Sequence, residues 1–240
     1  LSSWADRAHV EKRGQAWLDT LVPVIEAMRT ALREIPPGEL AVRSGAVFDA
    51  GHTPSPLPPL PPGGEVPKAG VRVGGELWLR YLGREYRIAW PELVAYPESG
   101  EQPCPASLQG MVLYYLSHAD GTPLAGRWLS FRELPGGGFY HQAFQGYTGG
   151  RLVRHFGNDL EAFCQAARTL DGFRLALGDA AFSFDVLPRV RLAVIYWLGD
   201  DEFTPNAQVL FDASVSHYLP TDACAVLGSQ LIGQLVKSET

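Results

Sequence analysis

Cysteine is scarce in this chain and poorly placed for cross-linking. Cys104, Cys164 and Cys224 are the only thiols in 240 residues, and no two share a CxxC spacing. Neither a disulfide framework nor a zinc or iron–sulfur ligand set is encoded, and a reducing cytoplasm is the expected compartment. Long apolar runs are missing as well. The longest, Leu192 to Leu198, has the length of a strand and falls far short of the ~20 residues that cross a bilayer, so no membrane partner is expected. Leu1 to Arg13 carry charges every few positions and no apolar core of a secretion signal, although a leader removed ahead of Leu1 stays open. Grouped positive charge is the third absence. Twenty Lys and Arg face 26 Asp and Glu, a net charge of −6, and cations such as Arg127, Arg132, Arg151 and Arg154 are scattered singly. Nucleic acid is disfavoured as a partner, because neutralising phosphates requires clustered cations.

What remains is the composition of a folded protein with many turns. Hydrophobic residues make up 46%, alongside 26 Gly and 19 Pro. Trp4 to Glu34 reads as a helix, since Trp17, Leu21, Ile25, Met28 and Leu32 recur at spacings of three and four. Pro23 kinks it and Pro36-Pro37-Gly38 ends it. Leu40 to Phe48 is expected as a strand, with Val42 and Val47 as its apolar positions. From Gly51 to Gly64 prolines dominate, a composition suited to polyproline II. It is either a stiff strap or linker, or a PxxP ligand for a proline-binding module.

Beyond the prolines, Glu76 to Tyr81 and Glu85 to Trp90 alternate like a hairpin around Leu82-Gly83-Arg84. Ala106 to His118 has the period of a helix. Asn158-Asp159 signals the start of another, with Gly172 as its stop. Phe173 to Leu177, Ala181 to Val186 and the nearly continuous apolar run Val190 to Leu198 read as strands. A last helix spans about Thr221 to Val236. The expected architecture is α+β: a mainly antiparallel sheet with helices packed on it. The N-terminal helix docks on that body, because one amphipathic helix cannot bury its own apolar face. Three segments follow from this: 1–50 helical with a possible strand, 51–70 the proline-rich strap or linker, and 71–240 the α+β domain.

Several short motifs in the second half form an ordered set. Gly126-Arg-Trp-Leu-Ser-Phe-Arg-Glu-Leu-Pro-Gly-Gly is followed by Gly178-Asp179, Leu187-Pro-Arg189, Tyr196-Trp197, Asp200-Asp-Glu-Phe203 and Leu210-Phe-Asp212. From about Leu77 to the C-terminus the chain thereby resembles domain of unknown function family 3786, a family without an established activity to carry over. The resemblance implies company with cysteine-rich iron–sulfur modules and with corrinoid-using contexts. This chain has no four-cysteine cluster, and its helical N-terminus and proline strap are unlike those relatives.

Among residues able to carry chemistry, Cys164 and Cys224 sit on apolar helix faces and read as core. Cys104, between two prolines, reads as more exposed and is an outside candidate for a nucleophile. None of the six histidines makes an HxH or HExxH spacing. Two glycine-rich stretches, Pro135 to Phe139 and Thr148 to Arg151, lack the flanking pattern of a phosphate loop. With the aromatics after them they either wall a pocket or form a turn over a packed cluster. Trp128, Phe139, Tyr140, His141 and Tyr147 are the ligand-pocket candidates. Asp200, Asp201 and Glu202 follow a buried strand, where three successive carboxylates repel unless solvated, protonated or bound to a cation. With Asp179 and Asp212 at other element ends they are the candidate ligands of a divalent metal; the competing view is a solvated turn.

The functional expectation is a non-catalytic ligand-binding or accessory module, with a small molecule or a protein as partner. The alternative is a hydrolase or transferase assisted by a divalent metal at the acidic loop. Binding of a tetrapyrrole or corrinoid is a third idea that only the resemblance implies. The sequence names no cofactor.

Overall fold

A computed structural model describes residues 24–51 and 74–238. The chain enters it in a helix, α1, of which residues 24–33 are described. Ile25 and Leu32 are buried in the common core and Met28 packs against it. Arg29 Nε and Arg33 Nε donate to the carbonyls of Leu93 and Pro91 at 3.2 and 3.0 Å. The docked helix expected from its apolar stripe is present as far as it is described; Trp4 to Pro23 lie outside the described residues. So does the proline-rich stretch after Gly51.

The strand expected over Leu40 to Phe48 is mostly helix. Helix α2 runs Pro37–Ser44 and β1 only Val47–Asp49. Pro37 stands in the first turn, where a missing N–H costs nothing and the fixed φ suits a helix. Glu39 and Arg43 pair one turn apart, and Gly45 closes the helix at φ 71°. Val42 and Val47, expected inside, are exposed. The prolines thus start a helix as well as ending one.

Two antiparallel sheets follow. Strands β1, β2 (Gly75–Tyr81), β3 (Arg84–Trp90) and β4 (Val94–Pro97) pair in sequence order. Leu77, Leu79 and Tyr81 of β2 point inward, the alternation of a half-buried strand. Because Asp49 pairs with Glu76, the chain leaves β1 and returns to β2 at one edge of the sheet. The second sheet comprises β5 (Trp128–Ser130), β6 (Phe173–Leu175), β7 (Ala180–Leu187), β8 (Val190–Trp197) and β9 (Asn206–Asp212), in the order β5-β9-β8-β7-β6. Strand β8 is central and buried through most of its length, as its unbroken apolar run requires.

Helices cover these sheets. Helix α3 (Ala106–His118) is locked to β4 by buried Gln109, whose amide bonds both the N–H and the C=O of Ala95 at 2.8 Å. Helices α4 (His141–Tyr147), α5 (Gly149–Phe156), α6 (Leu160–Thr169) and α7 (Thr221–Leu235) serve the second sheet. Asp159 caps α6 by accepting the N–H of Ala162 at 3.0 Å. The two sheets meet where the β2–β3 turn touches β7: Leu82 N–H donates to Val186 O at 2.9 Å. One continuous core includes residues of both.

Candidate functional site

The aromatic stretch is mostly spent on packing. Phe131 and Phe144 stack with ring centres 4.2 Å apart, and Phe211 of β9 lies about 6 Å from both. Tyr140 and Tyr147 form the rim of this cluster, 6.2 Å from each other. Burial, then the neighbouring Tyr140, push the Tyr147 hydroxyl upward. His141 is half-buried, with Nδ1 2.8 Å from Gly138 O, and Trp128 is half-buried at the edge strand β5. Phe139 stands fully exposed. The glycines have a steric reason. A Cβ on Gly137 would lie 1.9 Å from Phe131 O, and one on Gly149 would lie 1.9 Å from Ala207 O. Both positions demand glycine because another chain segment touches the backbone there.

The acidic candidates divide between the two ends of the second sheet. Asp200 accepts from Glu202 N and Phe203 N at 2.9 and 2.7 Å, and the Phe203 and Glu202 amides hold its carboxyl below the usual range. Asp179 stands at the same end and accepts the N–H of Leu198 at 2.7 Å; Asp201 and Glu202 are exposed in the turn. Asp212 lies at the opposite end of β9 and is 2% exposed. It accepts from Ala125 N, Gly126 N, Ser214 N and Ser214 Oγ at 2.7–3.0 Å. Burial raises its pKa, but these four donors outweigh it and leave the carboxyl below the ordinary value. Among the described residues no three His, Cys, Asp or Glu side chains converge as a metal cage.

All three cysteines are buried, Cys104 included. The exposure expected for it from the flanking prolines is not found. Burial raises the Cys104 thiol and pushes that of Cys224 up to about 12, the reverse of an activated nucleophile.

Space for a ligand occurs elsewhere, at the seam between the sheets. A cavity of about 850 Å³ opens between the β2–β3 turn, the α6–β6 turn, β7 and the end of α7. Its floor is Phe184, Val186 and Leu231, and its rim carries Leu82, Leu170 and exposed Phe173. The hairpin supplying one wall is a two-residue turn with Leu82 at φ 48° and Gly83 at φ 79°, the mirror-image geometry that matches strand twist. A leucine in the left-handed region costs on the order of 1 kcal/mol. Its side chain packs on the core and its N–H reaches the other sheet. Asp171 on the facing wall is left-handed too, at φ 57°.

The polar lining mixes charges of both signs with neutral groups. Arg80 and Asp171 bridge two walls at 2.9 Å, and both are largely exposed. Asp185 is held by Arg191 through two bonds, at 2.6 and 3.2 Å, and the carboxylate keeps the guanidinium pKa above its ordinary value. Arg84 and Lys237 also line the cavity. Neither has a carboxylate at ion-pair distance among the described residues.

One further constellation went unread in the sequence. His217 Nδ1 lies 2.6 Å from Asp120 Oδ2 and 3.2 Å from Thr122 Oγ1. A carboxylate beside Nδ1 favours a proton on that nitrogen. The Thr122 amide first, and then His217, hold the Asp120 pKa at about 2. Nδ1 faces both partners, so among the described residues the relay of a catalytic triad, which needs one partner on each ring nitrogen, is not formed.

Fold and site together define a two-sheet α+β domain with an open polar groove at the sheet junction. The chain belongs to the family described as Domain of unknown function (DUF3786), whose model matches residues 67–234. No curated protein and no solved structure matches it. Among the described residues no helix is long and apolar enough to cross a membrane.

Proposed function

We propose that this protein is a non-catalytic binding module and that its small-molecule site is the groove at the sheet junction. The observation carrying this reading is the cavity of about 850 Å³, which falls in the size range of small-molecule sites and sits where two layers meet. Its lining speaks for binding rather than turnover. Among the described residues no histidine or cysteine lines it, and the two lining hydroxyls serve the helices: Thr169 Oγ1 donates to Gln165 O and Ser238 Oγ to Gln234 O. A nucleophile needs a base beside it, and these hydroxyls have none.

Metal assistance at the acidic loop draws less support. Asp200 spends Oδ1 on two amides, and Asp212 is committed at the far end of the sheet. The exposed aromatic knuckle Phe139–Tyr140, with Trp128, His141 and Tyr147 around it, presents apolar surface outward and suits a protein contact better than a small ligand.

The test is a thermal-shift screen of small molecules, metals included, on the full chain and on Gln234→Trp, which places an indole in the groove. We expect at least one saturable rise in Tm that the tryptophan abolishes. Ligands whose shift survives Gln234→Trp place the site elsewhere. A saturable shift with Mg²⁺ or Mn²⁺ lost in Asp200→Asn/Glu202→Gln favours the acidic loop and the hydrolase or transferase reading.

A further inference from the structure

The groove's lining also defines what it would hold. Five charged side chains line it: Arg80, Arg84 and Lys237 against Asp171 and Asp185. Three of these five charges, Arg80, Asp171 and Asp185, are already paired. Arg80 is engaged by Asp171 across the cavity, and Asp185 is neutralised by Arg191 from the neighbouring strand β8. Subtracting those pairs leaves Arg84, on the β2–β3 turn, and Lys237, just past the end of α7. They come from different walls, and neither has a carboxylate partner among the described residues. Two uncommitted cations facing one cavity stand out in a chain of net charge −6. The long-range field of a net-negative chain repels anions, so an anion would be held by local pairing instead.

We infer that the groove takes a compact organic oxyanion bearing at least two negative groups, phosphate or carboxylate, spanning Arg84 and Lys237. This rests on the groove being the ligand site. Arg84 offers a planar fork of donors that matches either oxyanion, and Lys237 a compact point charge. The Arg80–Asp171 bridge is exposed on both sides, so exchanging its carboxylate for a ligand oxyanion costs little. The remaining surface limits the body of the molecule. Phe184, Val186 and Leu231 form a closed apolar floor, and the exposed ring of Phe173 at the rim offers a flat face. The fit is a small, highly charged metabolite with a modest apolar or planar part, not a long acyl chain, for which the floor presents too little accessible apolar surface.

Calorimetric titration of the full chain in low-salt, phosphate-free buffer tests this with pyrophosphate and citrate as probes. The two separate phosphate from carboxylate preference. We expect one or both to bind saturably, with an affinity that falls as salt is added. Arg84→Ala/Lys237→Ala should weaken binding at least about tenfold, as expected when charge-assisted bonds are lost, while Arg132→Ala, outside the groove, leaves it unchanged. Both groove cations are exposed, so the double variant keeps its fold, which its unaltered Tm would verify. Equal binding by wild type and double variant overturns the inference. A neutral or cationic compound that binds and is blocked by Gln234→Trp, with both anions silent, overturns the ligand class but preserves the groove as the site. No binder of any class removes both.

Discussion

The aromatic cluster and the sheet-junction groove use their side chains in opposite ways. Around Phe131, rings face one another and the glycines let backbones touch, so nearly every group is committed to the fold. At the groove the walls stand apart, and neither Arg84 nor Lys237 has a carboxylate at ion-pair distance among the described residues. Aromatic density alone therefore does not mark a binding site. Aromatic side chains gain as much from burying each other as from burying a ligand. Uncommitted charge beside open space is the better sign.

The sharpest way to break this comparison is Phe144→Ala. Phe144 is buried between Phe131 and Phe211 and edge-on to Tyr147. Its truncation should cost about 3–5 kcal/mol in urea denaturation. The groove variant Arg84→Ala/Lys237→Ala should stay within about 0.5 kcal/mol of wild type. If Phe144→Ala proved nearly neutral, the aromatic region would be the loosely built site and the contrast would reverse.

Asp212→Asn should follow in size, at about 2–3 kcal/mol, because an amide cannot accept from all four donors. The pH dependence has a definite sign. Asp212 has a folded pKa below its unfolded one, so its stabilisation is present above the unfolded value of about 3.9 and is lost as pH falls through the folded value. Asp120, held at about 2, acts in the same direction, with its share fading between about pH 4 and 2. Wild type should lose stability steeply on acidification below about pH 4, and Asp212→Asn should show a shallower slope. Parallel acid-denaturation curves would show that the carboxylate contributes nothing as an anion.

The smallest effect is expected at Phe139→Ser. The ring is fully exposed, so stability should shift by less than about 0.5 kcal/mol and binding at the groove not at all. A changed response to a protein partner, with both quantities constant, would give the aromatic knuckle a role of its own.

Much of the fold was legible because single segments carry complete signals. The apolar run of β8, the Asp159 cap of α6 and the alternation in β2 each sit within a few residues, and each formed the expected element. Pro37 misled because one residue type both ends and begins helices. Helices α4 and α5 were missed because the Thr148 to Arg151 stretch read as loop, whereas the close approach of Ala207 O needs the missing side chain at Gly149. Strand β9 does alternate, with Ala207, Val209 and Phe211 buried, but apolar Leu210 between them blurred the pattern. The groove was invisible for a different reason. Arg84, Asp171, Phe184 and Lys237 come from distant parts of the chain, and nothing local to any one of them tells that they meet. For the acidic candidates, places at element ends suggested a convergence that Asp179 joins and Asp212, at the far end of its strand, does not.

Strand β6 is only three residues long, and its ladder on β7 ends at the pair Phe173–Ser183. Past that point β7, still paired with β8 on its other side, has no strand along this edge until the turn of the other sheet reaches Val186 through Leu82. The groove is therefore an unfinished sheet edge, the room that β6 would fill if it began earlier. It does not begin earlier because Asp171 turns left-handed at the helix exit. A chain that straightened this turn would zip the edge shut with its own main chain, so the vacancy depends on where one short strand starts.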